Sequence, residues 1–310
     1  MHEQPHKGLL NREEAIRHAI QVYGPQLDVL ADMVNYGSNL VPRAYHSSAK
    51  GAAEAVVIGV LLKQIVAMLD AVEVLVRQGI SYAGLLQARA AFEASLYVDW
   101  ILSADAENRA NHYLVANLRG ERKWAKRAMP GTPEKKDFDA RFQPLGSNLS
   151  VTSPDIETDA KNHLAEVDRL LGQPHFNRID VAFEQHRRAS RRKHEPTWHA
   201  LLGKQSIRQI AEEVGRAPEY EIFYSRGSDV THAGLYKDHI KFVRGGFRLK
   251  PIRHLSDSHG LLLSVMGLAI RTFRRVIHTY RSGEAPAFCK KYAEDWRHAF
   301  VSVQRVQYNI

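Results

Sequence analysis

"LLKQIVAMLDAVEVLVRQGISYAGLLQARAAFEASLYVDWIL" (residues 61–102) carries most of the information about the fold. Val56, Val57, Val60, Leu61, Ile65, Met68, Leu69, Val72 and Leu75 recur at three- and four-residue steps. The pattern predicts a helix over 51–78 that is apolar on most sides and therefore buried on most sides. At 1.5 Å per residue it is roughly 40 Å long. Gly79 stands where a left-handed cap ends such a helix. The stretch 81–103 is again apolar and helical, and so short a link makes the two helices antiparallel. This core predicts an all-α bundle of long antiparallel helices.

Outward from that pair, 12–36 reads as a helix, and 37–50, with its Gly, Ser and Pro, as a loop. Residues 105–128 predict an amphipathic, basic helix. Four prolines and two glycines in 129–155 predict a long loop with a helical turn at 133–141. Ser153-Pro154-Asp155 starts a helix that reaches Leu171. Residues 173–198 read as a basic loop. Ser206 and Gln209 form a capping box before a short helix that Gly215 stops. A helix is expected over 218–235 and a hairpin at 240–249, where apolar and polar residues alternate around Gly245-Gly246. Helices over 255–281 and 286–305 complete the chain. The organisation expected is an N-terminal helical extension (1–50) and a bundle domain (51–310) carrying a loop-rich basic insertion around 129–200, with no fixed-period repeat.

The chain has 310 residues and a formal net charge of +9. That balance favours acidic partners, nucleic acid first. A single cysteine, Cys289, excludes an internal disulfide and a cysteine-built zinc site, and fits a reducing cytoplasm. The most apolar run, "AVVIGVLL" (55–62), ends at Lys63, short of the about 20 residues that span a bilayer. The start, "MHEQPHKGLLNREE", has no cationic segment followed by an apolar one, so no signal peptide is expected. A soluble, cytoplasmic protein without a membrane partner is expected. No phosphate-binding P-loop, dinucleotide turn or GxSxG elbow occurs. His254, Asp257 and His259 lack helical metal-ligand spacing, so neither metal nor cofactor is expected.

The reactive groups concentrate in "YEIFYSRGSDVTHAG" (220–234). Tyr220, Tyr224, Ser228 and His232 are four apart and share one helix face, with Asp229 three residues before the histidine. Arg226 is about 120° from His232 on an ideal helix and joins it only if the helix frays at Gly227. Arg89 and Glu93, also four apart, sit among apolar residues. They read either as a structural salt bridge or as a pair whose Glu93 orients His232 and raises its pKa. The run "RRASRRK" offers Arg187, Arg188, Arg191, Arg192 and Lys193 as phosphate contacts, or is a solvated loop. Trp124 and Trp198 either stack on bases or pack inside.

The 61–102 stretch together with "YEIFYSRGSDVTHAG" resembles a bacterial all-helical family, domain of unknown function 5677, over roughly residues 50–240. Its R-x-x-x-E mark is met by Arg89 and Glu93, and its Y…S-x-x-x-H mark by Tyr224, Ser228 and His232. The chain is also similar, more widely, to the HEPN superfamily, whose signature R-x(4–6)-H is met by Arg226 and His232. It departs from that pattern at Gly227, where HEPN nucleases place a polar residue. The HEPN likeness implies a helical homodimer and a metal-independent ribonuclease of the toxin or antiviral defence kind. In that role His232 is base or acid and Arg226 holds phosphate. Tyr224, Ser228 and Asp229 orient the imidazole or the substrate, and a regulatory partner protein is expected. The other function in view is a non-catalytic helical module that binds a nucleotide, a nucleic acid or a partner protein, with Arg89, Glu93 and His232 as a structural network.

Overall fold

The computed structural model describes residues 4–47, 51–142, 154–189, 195–232, 236 and 239–305. In chain order the helices are α1 (Arg12–Tyr45), α2 (Ala52–Arg77), α3 (Ser81–Ile101), α4 (Ala106–Ala128), α5 (Pro133–Phe142), α6 (Pro154–Leu171) and α7 (Pro174–Ala189). Then come α8 (Ile207–Glu213), α9 (Ala217–Tyr220), a π-wound turn (Glu221–Ser225) and α10 (Arg226–Thr231). The strands β1 (Ile240–Val243) and β2 (Gly246–Leu249) precede α11 (Ser258–Tyr280) and α12 (Ala285–Lys291). A second π-wound turn (Tyr292–Trp296) leads into α13 (Arg297–Val301). The protein is all-α with one small antiparallel hairpin.

The chain forms two compact units, Met1–Ala104 with Ile207–Ile310, and Asp105–Ser206. In the first, α2 packs between α1 and α3, and α11 closes the bundle against α1, α2 and α3. Gly79, at φ +74°, makes the turn between α2 and α3. Leu27, Leu30 and Met33 of α1, Leu62, Ile65 and Leu69 of α2, Phe92 and Leu96 of α3, and Val265 and Phe273 of α11 are all fully buried. Each contributes on the order of 1.5–3 kcal/mol by leaving water. By length and composition alone, Ala53–Arg77 suffices to cross a membrane; here 56% of its apolar window is buried inside the bundle, as in a core helix.

Residues 37–45, expected as loop, continue α1. Gly37 does not break the helix because its missing side chain serves packing. A Cβ there would lie 2.7 Å from both Phe273 and Val66. Residues 1–50, read as an extension, thus contain a helix packed along α2. Trp296 is fully buried, donates from Nε1 to Asp32 Oδ2 at 2.8 Å, and meets Tyr36 edge-on, which fixes the C-terminal helices to α1.

The hairpin pairs Ile240 with Leu249 and Phe242 with Phe247. Its turn is Arg244-Gly245, one residue earlier than expected, because Gly245 takes φ +88° and Gly246 pairs with Val243. Phe242, Phe247 and Leu249 face outward and are exposed.

In the second unit α4 packs on α5, α6 and α7. Its centre is Arg119, only 8% exposed, whose guanidinium is paired with Asp180 and with Glu195 at 2.9 Å. Burial works against that charge, but the two carboxylates outweigh it and hold the guanidinium firmly protonated. Residues 174–189, expected as loop, form α7. Phe176, Ile179 and Phe183, at positions i, i+3 and i+7, are its buried face.

Candidate functional site

Two neighbouring helical segments carry the groups singled out in the sequence. The run from α9 to α10 packs along α3. The reason is Gly227: a Cβ there would fall 2.7 Å from Arg89 Cβ, so only glycine permits this approach. Gly227 therefore does not fray the helix. The helix is intact from Arg226 through Thr231 and ends at His232, whose backbone N–H reaches Ser228 O at 3.0 Å. Helix to residue 235 was expected; residues 233–235 lie outside the described residues.

Aromatic pairs set the geometry. Tyr220 and Tyr224 stack with centroids 4.9 Å apart, and the Arg89 guanidinium lies 4.2 Å from the Tyr224 ring. Arg89 also donates from Nη1 to Thr231 Oγ1 at 3.4 Å. Burial, then Tyr224 and Glu221, raise the pKa of the Tyr220 hydroxyl. Arg89 is thus directed at α10 and not at Glu93. The expected pair is absent, and Glu93 accepts instead from Tyr97 Oη at 3.1 Å. The stacking energy of the Tyr224 ring and the close approach at Gly227 take the guanidinium away from its helix neighbour.

His232 and Asp229 are exposed, Ser228 and Tyr224 half-buried. Arg226 donates to Asp257 Oδ1 at 2.6 Å and borders a small apolar cleft with Leu85, Phe223 and Leu261. With α10 regular, Arg226 and His232 diverge by about 120° around the axis. Arg89, through Thr231, is the arginine held beside the His232 turn. Among the described residues no group of three His, Cys, Asp or Glu is placed to hold a metal.

Of the basic run, Arg187 and Arg188 pair with Glu184 at 2.5 and 2.8 Å. The Arg187 hydrogen bond, with Arg188 behind it, holds the Glu184 carboxyl down at about 2. Arg191, Arg192 and Lys193 lie outside the described residues. Trp198 is buried edge-on against Tyr113, closed to any base. Trp124 is 62% exposed with Arg127 over its ring.

A polar network not anticipated from sequence lies behind the site. Arg216 is wholly buried. It bonds Ser95 Oγ at 2.8 Å, Asp99 Oδ2 at 3.0 Å and Glu219, and covers the Phe92 ring at 5.0 Å. Arg271 joins it to Asp99 and Glu219 at 3.2 and 3.1 Å. Phe92 stacks on Phe223 at 5.1 Å, so two arginine–aromatic–aromatic columns bind α3 to residues 217–231. An aspartate inside the apolar run "YVDW" was the available signal.

The motif-bearing segments thus lie together in one helical unit. A family model described as a family of unknown function (DUF5677) matches residues 55–246, well over half of the chain. The chain belongs to this family. Both marks of the DUF5677 resemblance, Arg89 with Glu93 and Tyr224 with Ser228 and His232, fall inside the matched range. No curated protein and no solved structure matches this DUF5677 member.

Proposed function

We propose that this chain is a metal-independent endoribonuclease of HEPN-like character, centred on His232. The observation that carries it is the juxtaposition at the end of α10. An exposed imidazole stands next to Thr231, and Arg89, fixed by Tyr224, donates to Thr231. Cleavage of RNA without metal needs a proton acceptor for the 2′-hydroxyl, a donor for the leaving oxygen, and positive charge on the phosphate. His232 fills either proton role, since an imidazole both accepts and donates a proton. Arg89 keeps donors beyond the one given to Thr231 and holds phosphate oxygens with them. Arg226 faces another way, so its part in the signature calls for a second copy of the chain, in which one protomer's arginine completes the other's site. The formal charge of +9 supports an RNA substrate. A cytoplasmic toxin or antiphage effector, restrained by a partner protein, is the setting such an activity fits.

The test is incubation of purified protein with total RNA in EDTA. Cleavage is expected, and His232→Ala lowers it about 10²- to 10⁴-fold. Equal cleavage by the variant, or none by the parent, removes the proposal. One observation favours a non-catalytic binding module instead: Arg226 is already paired with Asp257. RNA binding that survives in a protein without any cleavage would select that alternative.

A further inference from the structure

On the far side of the Arg216 network, within the same unit, α11 borders a cavity of about 950 Å³. Small-molecule sites of this size hold nucleotide-sized ligands. Gly267, Arg271, Arg274 and His278 line it at successive turns of α11, and Arg275 lies beside them. Tyr292 and Phe300 line the cavity as well, Phe300 lying over Gly267 at 3.8 Å from where a Cβ would be.

The cations divide by commitment. Arg271 is held by Asp99 and Glu219. Arg275 gives Nη2 to Leu102 O at 2.6 Å, while its Nε is buried without a hydrogen-bond partner among the described residues. A buried donor without an acceptor is rare and unfavourable by about 1–3 kcal/mol. Arg274 and His278, both exposed, make no hydrogen bond or ion pair among the described residues. The anions lining the cavity are engaged: Asp99 by Arg216 and Arg271, Glu213 by Trp100 Nε1 at 2.9 Å. The cavity wall therefore presents uncommitted donors, Arg274 and His278, a carboxylate able to accept from a ligand, Glu213, and aromatic side chains.

We propose that this cavity is a binding site for a small organic phosphate carrying a flat ring, of the nucleoside mono- or diphosphate class. Arg274 and His278, the two exposed and uncommitted donors, take the phosphate oxygens, with the Arg275 charge beside them. Tyr292 and Phe300 take the ring, and Glu213 accepts from a hydroxyl or amino group. The site stands apart from His232 and does not depend on ribonuclease activity.

Isothermal titration of the full chain with ADP, adenosine and pyrophosphate tests this. ADP is expected to bind saturably, with Kd below about 1 mM, and more tightly than either fragment. Arg274→Ala, at an exposed position, is expected to weaken ADP about 10- to 100-fold. Tyr292→Leu is expected to erase the advantage of ADP over pyrophosphate. Absence of saturable ADP binding, or ADP binding unchanged in Arg274→Ala, overturns the phosphate site. Pyrophosphate binding as tightly as ADP overturns the assignment of the ring.

Discussion

Arg216 and Arg89 do nearly the same thing a short distance apart. Each leans on an aromatic pair, Phe92–Phe223 or Tyr224–Tyr220, and each ties α3 to residues 217–231. They differ in what is left over. Arg216 is 0% exposed and surrounded by Ser95, Asp99 and Glu219. Arg89 is half-buried and has one weak hydrogen bond. A fully matched buried cation serves geometry alone, whereas an aromatic-braced cation with spare donors can serve a ligand. The first is a joint; the second is a joint with a working end.

The largest expected effect breaks the comparison on the Arg216 side. Arg216→Ala leaves Asp99 without its buried partner and is expected to destabilise the protein by about 3–5 kcal/mol. Arg89→Ala should remove only about 1 kcal/mol. Urea unfolding of both variants checks the contrast, and equal losses would erase the distinction drawn here. Next in size is Gly227→Ala. Its methyl meets Arg89 at 2.7 Å, so α10 must move from α3, at about 1–3 kcal/mol. Fluorescence-monitored melting should show the drop, and RNA cleavage should fall with it because Arg89 is displaced.

The smallest effect sharpens the contrast from the other unit, at the exposed ion pairs of α7. The Glu184 carboxyl, held at about 2 by Arg187 and then Arg188, has an ordinary value of 4.5. Its depressed value means the unfolded chain binds the proton more readily. The stabilisation is complete above about pH 4.5 and is lost as pH falls toward 2. Glu184→Gln should flatten the stability profile across that window, measured by denaturant titration at fixed pH steps, matching the parent near pH 2 and lying below it by up to about 1 kcal/mol near pH 7.

How much was legible follows from which forces are local. The antiparallel α2–α3 pair could be read because a continuous apolar periodicity has one solution. Glu93 was expected to meet His232; the contacts from α3 to residues 220–231 run instead through Arg89 to Tyr224 and Thr231, while Glu93 accepts from Tyr97. The Arg89–Glu93 pair failed because helix spacing names the nearest partner, while Tyr224, 135 positions along the chain from Arg89, competes for it. Gly37 was read as a break and Gly227 as a place where the helix could fray, because glycine's freedom is visible in a sequence and its lack of bulk against a distant residue is not. Arg216 escaped notice because arginine in a polar stretch looks solvated until Asp99 is brought to it.

Both candidate sites are entered through a π-wound turn, Glu221–Ser225 before α10 and Tyr292–Trp296 before α13. Such a turn accommodates about one extra residue relative to an α-turn. If 221–225 resumed ordinary winding with all five residues kept, everything downstream would swing by about 100°, whereas deleting one of them would leave the downstream faces where they are. In the first case Thr231 would leave Arg89 although no side chain of the centre had been altered. The facing of α10 on α3 is thus encoded in the winding that absorbs a surplus amino acid, as much as in the identity of the groups brought together.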